Sequence, residues 1–151
     1  MASFRRAFIV VAACIGFTWP VPAYAGDNGP PDGRRIALSG YDPVSYFEDG
    51  EPAKGSGEFW FAYDDVAYIF RSAEHRAKFA ADPERYAPQY AGYCAGGISK
   101  GFKAEPNPEA WLIANGKLYL ILNKERVSYY KSQIDEVAAK ANSNWPILRS
   151  K

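Results

Sequence analysis

The chain has 151 residues, with 18 basic and 17 acidic side chains and a formal net charge of +1. This near-neutral balance excludes the strong positive charge of a nucleic-acid-binding protein, and it gives no reason to expect a polyanionic or membrane-surface partner. The length suits one domain with its own hydrophobic core.

The first 25 residues have the three-part layout of an export signal. Arg5 and Arg6 form a positive n-region, residues 7–17 form an uncharged apolar stretch, and Ala23-Tyr24-Ala25 supplies a small-x-small cleavage site. The apolar stretch is shorter than the ~20 residues that a permanent transmembrane helix needs. We therefore predict a signal peptide over 1–25, a periplasmic or secreted protein, and no stable membrane insertion of the mature domain.

The export route stays open between three interpretations. The Arg5-Arg6 pair resembles a twin-arginine signal, but Phe4 stands where Ser or Thr is usual, and an ordinary secretory signal fits as well. The segment ending in Cys14 resembles a lipoprotein cleavage box, but cleavage there would leave an h-region of only about 7 residues, the lower limit. We expect cleavage after Ala25, which removes two arginines and leaves 16 basic and 17 acidic side chains.

Cysteine use narrows the chemistry further. Cys14 leaves with the predicted signal, so Cys94 is alone in the mature chain and cannot form an internal disulfide. The Cys94 thiol is then buried and inert, paired with another chain, bound to a metal, or reactive. The sequence does not choose between these four fates.

The first half of the mature chain predicts a hairpin followed by a helix. Residues 26–35 are rich in Gly, Pro and charge and predict a flexible leader, and residues 36–50 predict a short extended segment with a turn at Asp42-Pro43. Two aromatic and β-branched runs, 59–63 and 66–70, flank Asp64-Asp65 and predict an antiparallel hairpin.

The helix after this hairpin has a start signal and a stop signal. Ser72 is its expected N-cap, and Asp82-Pro83 ends it at about Ala81 and begins a short helical turn through Tyr86. The side chains that we expect this helix to bury are Ala73, Ala77, Phe79 and Ala80.

The second half predicts the same classes of element. Residues 88–97 hold many small side chains, which permit close backbone approach, and Asn115-Gly116 is the strongest short hairpin signal. A last helix is expected from about Lys124 to Ala141, where apolar side chains recur at helical spacing. We find no repeat in the sequence. The element order predicts a small single α+β domain with two antiparallel β-hairpins and two or three helices.

Only two residues of the mature chain offer histidine or thiol chemistry. His75 and Cys94 lie far apart in sequence and form no local chelating motif, and no metal-binding, nucleophile-elbow or phosphate-loop pattern is present. Both residues of a Cys–His nucleophilic pair are present, but nothing in their spacing supports such a pair. Each residue also has a purely structural alternative. Cys94 is then buried, His75 is exposed or hydrogen-bonded to a neighbour, and Asp42 caps a turn.

Several motifs in a fixed order resemble the YHS family, and in particular its secreted single-domain branch. The resemblance covers about Ile36 to Pro146, within an expected domain of 36–148. It is carried by five segments, residues 40–47 (GYDPVSYF), 70–79 (FRSAEHRAKF), 82–86 (DPERY), 88–95 (PQYAGYCA) and the hairpin that begins at residues 108–111 (PEAW).

The resemblance implies a compact α+β domain found in heavy-metal contexts, including copper transport. In members of the metal-binding type, the resemblance implies cysteines at three positions that are Ser45, Arg71 and His75 in this chain. Of these three residues, only His75 is a good metal ligand. If a metal binds, we expect copper or another soft metal, held by Cys94 and His75 with Asp42 or Tyr46 nearby, because Cu(I) favours thiolate and accepts imidazole.

These observations predict an exported, non-enzymatic metal-binding protein with copper as its possible cofactor. The alternative is an interaction or small-ligand-binding module of the same fold that has lost its metal ligands and uses an aromatic surface around Tyr41, Tyr46 and Tyr93. A thiol enzyme is the third hypothesis, and it requires an exposed Cys94 within hydrogen-bond reach of His75.

Overall fold

The computed structural model describes residues 33–151. The predicted signal peptide, Cys14 and residues 26–32 of the predicted leader lie outside the described residues. The elements that follow confirm the predicted α+β class with two antiparallel β-hairpins, although the helical part is divided into more and shorter segments than expected.

The first half of the domain runs from a tight turn through a hairpin to two helices. Its elements are a first left-handed turn (Ala37–Gly40), α1 (Ser45–Glu48), β1 (Ser56–Tyr63), β2 (Val66–Phe70), α2 (Ala73–Ala81) and α3 (Pro83–Tyr86). Ser72 caps α2 as predicted, because its side-chain oxygen accepts a hydrogen bond from the backbone N–H of His75 at 3.1 Å.

The second half follows the same order. Its elements are a second left-handed turn (Gln89–Gly92), α4 (Ala95–Ser99), β3 (Asn107–Ala114), β4 (Lys117–Ile121), a 3-10 turn (Lys124–Arg126), α5 (Val127–Ser132) and α6 (Ile134–Arg149). The two hairpins form separate two-stranded sheets. Within residues 33–151, no helix combines the length and the apolar character that a membrane crossing requires.

The two hairpins are copies of one structural unit. Each pairs an eight-residue strand with a five-residue strand, and each has a register shift in the same place, between Ser56 and Trp60 in the first hairpin and between Asn107 and Trp111 in the second. Paired positions lie 51 residues apart throughout. The structure therefore contains a repeat that is not visible as a sequence repeat, because few side chains are identical between the copies.

Both hairpin turns use the left-handed backbone that such turns favour. The φ angles are +54° and +65° at Asp64 and Asp65, and +52° and +72° at Asn115 and Gly116. Asp, Asn and Gly tolerate this conformation better than other residues. Both predicted hairpins are confirmed at the predicted turns.

The repeat extends to the turn that precedes each hairpin. Leu38 and Ser39 have φ angles of +57° and +50°, Tyr90 and Ala91 have +58° and +51°, and a glycine follows each pair at about +80°. The extended segment that we predicted from residue 36 is therefore replaced by a left-handed turn. Isolated residues rarely adopt this backbone, so burial of Leu38 and Tyr90 in the two cores stabilises it.

Helix α2 buries a narrower face than its sequence predicts. His75 and Phe79 are its buried residues, and the prediction that Ala73, Ala77 and Ala80 are buried was wrong, because these alanines face solvent. Positions four apart share one helix face. Phe79 occupies that face among four aromatic rings, Phe61, Tyr63, Tyr68 and Phe70.

The predicted last helix is broken and longer than expected. Gln133, with φ −127° and ψ 16°, separates α5 from α6, and α6 continues through Pro146 to Arg149. Tertiary contacts outweigh the proline here. Trp145 packs on the rings of Tyr90 and Tyr93, and Leu148 is buried. Arg149 also pairs with Asp64 and Asp65 in the first hairpin turn.

We predict that Gly40→Ala destabilises the protein by about 1–2 kcal/mol, because an L side chain is strained in the left-handed region. An added Cβ at Gly40 would also lie 3.1 Å from Ile69 Cδ1. Equilibrium urea unfolding of the full chain measures this loss. The control is Ser39→Gly at the adjacent left-handed position, which removes a side chain from the same backbone region and should not destabilise. Equal losses in both variants would contradict the conformational explanation.

Candidate functional site

Asp42 and His75 form a buried polar pair. The Asp42 side chain is fully buried and His75 is 4% exposed, and the His75 Nδ1 atom lies 2.8 Å from Asp42 Oδ2. The same oxygen accepts the backbone N–H of Arg71 at 3.0 Å, and the other carboxylate oxygen accepts that of Val44 at 2.8 Å. One carboxylate thus joins the loop after the first left-handed turn, the end of β2 and the start of α2.

This geometry fixes the His75 ring. Nδ1 is the ring nitrogen engaged with Asp42, so Nε2 is the nitrogen left for other chemistry. A carboxylate behind a histidine also orients metal-bound imidazole. The Asp42 oxygens, however, already accept three hydrogen bonds, so their role is to hold these segments of the fold together.

Cys94 occupies the equivalent position in the second half of the domain. Asp42 follows Gly40-Tyr41 and Cys94 follows Gly92-Tyr93, and each donates its backbone N–H to a carbonyl ahead of the next strand, that of Ala53 at 2.8 Å and that of Ala104 at 3.0 Å. The residue equivalent to His75 is Arg126. The repeat therefore puts Cys94 and Arg126 where the first half has its buried acid–histidine pair.

The residues that cap the following helical segments are also equivalent. Ser72 has φ −152° and ψ 160°, and Asn123 has φ −150° and ψ 156°. Ser72 caps α2 through its side chain, whereas the Asn123 side chain makes no cap, and its buried Oδ1 atom has no hydrogen-bond partner in the described part of the chain. The second site thus keeps the backbone of the first and loses its closed hydrogen-bond network.

A cavity of about 250 Å³ lies beside Cys94 in the second site. The Cys94 side chain is only 3% exposed, and it forms part of the cavity lining. The other lining residues are Gly96, Gly97, Lys100, Phe102, Ala104, Leu122, Asn123, Arg126 and Tyr130. We call this space the Cys94 cavity.

The Cys94 cavity has an apolar and basic lining. Phe102 and Leu122 are 52% and 54% exposed at its edge, and no Asp or Glu is among its described lining residues. A second cavity of about 200 Å³ adjoins it and shares Lys100, Arg126 and Tyr130. Lys100 and Arg126 form no ion pair with an acidic side chain of residues 33–151. The two basic groups are therefore available to an anion.

The predicted site residues fall into separate parts of the fold. Asp42 and His75 are in contact, whereas neither lines the Cys94 cavity. Tyr46 is buried, and its hydroxyl donates to the carbonyl of Pro108 at 2.8 Å. Burial raises the pKa of that hydroxyl above its usual value. Within the described range, no three His, Cys, Asp or Glu side chains are placed to hold a metal ion together.

Comparison with known proteins adds no assignment. A scan of protein-family models, a search of curated proteins and a search of solved structures find no match to this chain. The resemblance to the YHS family therefore stays a prediction.

Sequence reasoning missed the residues that surround Cys94. Lys100, Phe102, Leu122, Asn123 and Arg126 belong to no motif and were not predicted to lie together. Equivalent Gly-Tyr pairs at residues 40–41 and 92–93 were the available signal, since they place Asp42 and Cys94 at matching positions.

We predict that Asp42→Ala lowers the free energy of unfolding by about 3 kcal/mol, because it leaves His75 and two backbone N–H groups without their buried acceptor. Urea unfolding measures the change. The matched control is Asp49→Ala, which removes an exposed ion pair with Arg71 and should cost no more than about 1 kcal/mol. A loss at Asp42 as small as at Asp49 would show that the pair is dispensable.

Proposed function

We propose that this protein is an exported, non-enzymatic module that binds a small ligand in the Cys94 cavity. The observation that carries the proposal is the concentration of exposed apolar side chains there. Five large hydrophobic side chains are exposed in the described chain, and three of them, Phe102, Leu122 and Tyr129, line the Cys94 cavity or the adjoining one. Exposed apolar surface around a concave site is typical of ligand binding.

The buried Asn123 oxygen supports the same proposal. Buried polar atoms in native proteins nearly always have a hydrogen-bond partner, so an acceptor without one calls for a ligand or a water. Ser72, its equivalent in the first half, is satisfied by the backbone N–H of His75. A ligand with a hydrogen-bond donor would satisfy Asn123 in the same way.

Small residues let the walls of the cavity pack closely. An added Cβ at Gly97 would lie 3.1 Å from the carbonyl oxygen of Phe102 and 3.3 Å from Ala104 Cβ, and one at Gly96 would clash with the Tyr130 hydroxyl. The equivalents of Gly97 and Ile98 in the first half are Ser45 and Tyr46, and all four residues are buried. The close packing at Gly96 and Gly97 gives the cavity a defined wall, which supports a binding role for the second site.

Two other hypotheses receive less support. An aromatic binding surface around Tyr41, Tyr46 and Tyr93 loses its central member, because Tyr46 is buried. A thiol enzyme needs an imidazole beside Cys94, and His75 is instead bonded to Asp42 outside the lining of the Cys94 cavity.

Labelling Cys94 tests the proposed site directly. In the full chain carrying Cys14→Ser, Cys94 is the single thiol. We expect methyl methanethiosulfonate to react with the native protein and to place a methylthio group on Sγ as a mixed disulfide, with methanesulfinate as the leaving group. This added group should abolish binding of the neutral dye N-phenyl-1-naphthylamine, whose fluorescence reports an apolar site. The physical reason is that the label occupies space that the dye would fill.

The control is Cys94→Ala in the same chain, which should bind the dye before and after treatment with the reagent. Reaction only after denaturation, or unchanged dye binding by labelled protein, would place the ligand outside the Cys94 cavity.

Copper binding is a second candidate, favoured by the position of the Cys94 thiol at a cavity that opens to solvent. Thiolate is the ligand that Cu(I) prefers, but the described residues provide no group of three ligands. Tight binding would need a further soft ligand from outside the described residues.

Anaerobic titration with Cu(I) against a competing chelator tests this candidate in the same full chain. If copper is the ligand, we expect sub-micromolar binding that Cys94→Ala abolishes while the fold, followed by circular dichroism, is unchanged. Absence of competition, or an affinity that Cys94→Ala leaves intact, would reject copper at Cys94 and leave the proposal of an organic ligand in place.

A further inference from the structure

We infer that the ligand of the Cys94 cavity is a small organic anion, whose carboxylate binds Lys100 and Arg126 and whose apolar body packs between Phe102 and Leu122. The inference rests on the proposed function and deepens it by naming the chemical class of the ligand. Neither the mature net charge nor any motif of the sequence suggests this class, so it depends on the tertiary arrangement.

The charge around the cavity points to an anion. Lys100 follows α4 and Arg126 ends the 3-10 turn before α5, so two separate elements bring their basic groups to one cavity. Both residues also line the adjoining cavity, which puts them at the junction of the two spaces. The acid of the adjoining cavity, Glu136, pairs with Lys140 at 2.7 Å. The described linings of the two cavities thus contain three basic side chains and one acidic one, and this excess of basic groups attracts carboxylates.

The apolar surface specifies the rest of the molecule. Phe102 and Leu122 are each more than half exposed, and Ala104 and Gly97 also belong to the lining. A fully hydrated inorganic ion would bury none of this apolar surface, so it would gain no binding free energy from it. A hydrocarbon or aromatic body would bury it and bind more favourably. A ligand with one carboxylate and one apolar body matches both features of the cavity.

The volume limits the size of this ligand. The Cys94 cavity measures about 250 Å³, which is below the range of about 300–1,000 Å³ that is usual for drug-sized molecules. The body is therefore one or two rings, or a short aliphatic chain. Larger acids would have to extend into the adjoining cavity of about 200 Å³.

The test compares an acid with its neutral isostere. We would titrate the full chain with 2-naphthoate and with 2-naphthamide by isothermal calorimetry at low ionic strength. We expect the acid to bind at least tenfold more tightly, and we expect its advantage to shrink as salt is added, because salt screens the attraction of exposed charges.

Charge-removing variants identify the binding groups. The double substitution Lys100→Met, Arg126→Met should lower the affinity for the acid to that for the amide and leave binding of the amide unchanged, because the apolar stems are retained. The matched control is Lys131→Met, an exposed lysine on α5 that lines neither cavity and should change neither affinity.

The outcomes separate this inference from the proposed function. Equal affinity for the acid and the amide, or an advantage of the acid that survives the double substitution, overturns the anion class and leaves ligand binding at the cavity intact. If neither compound binds while N-phenyl-1-naphthylamine still binds and is blocked by the Cys94 label, the inference fails and the proposed function stands. If the dye does not bind either, both fail.

Discussion

The Asp42 carboxylate is the interaction on which the first half of the domain depends. Its two oxygens accept from Val44, Arg71 and His75, which belong to three different segments, and the group is fully buried. A buried charge is stable only when its hydrogen bonds are satisfied, so these segments are held in one arrangement. The first left-handed turn and the N-terminus of α2 are fixed relative to each other by this single side chain.

The same backbone produces a different result in the second half. Cys94 replaces Asp42, Arg126 replaces His75, and Asn123 replaces Ser72, while the turns, strand lengths and register shifts are retained. A thiol cannot organise three donors as a carboxylate does. The described part of the second half therefore lacks a network equivalent to the hydrogen bonds around Asp42, and the Cys94 cavity lies at the corresponding place. One structural unit thus holds a buried acid–histidine pair in one copy and lines a cavity in the other.

This division changes how the chemistry of the chain is understood. The sequence offers one histidine and one thiol outside the predicted signal, and placing both in a copper site was the economical hypothesis. His75 is instead committed to Asp42 through Nδ1, and Cys94 lies with basic and apolar side chains. The surroundings of Cys94 are better matched to an organic anion than to a metal that needs several soft ligands. The match to an organic anion rests on exposed apolar surface next to unpaired basic groups. Both features are formed by residues that are distant from each other in the sequence.

The sequence by itself determined the local structure. Asp64-Asp65 and Asn115-Gly116 specified both hairpins, and Ser72 and Asp82 specified the two ends of α2, because turns and caps depend on a few neighbouring residues. The left-handed turns, the helix that continues through Pro146 and the burial of His75 were decided by tertiary structure, since burial of Tyr90, Leu148 and Asp42 outweighs local preference there. The Cys94 cavity is also decided by tertiary structure. It forms only when α4, the loop after it and the turn at residues 123–126 pack together, and side chains distant in the chain become neighbours only through that packing.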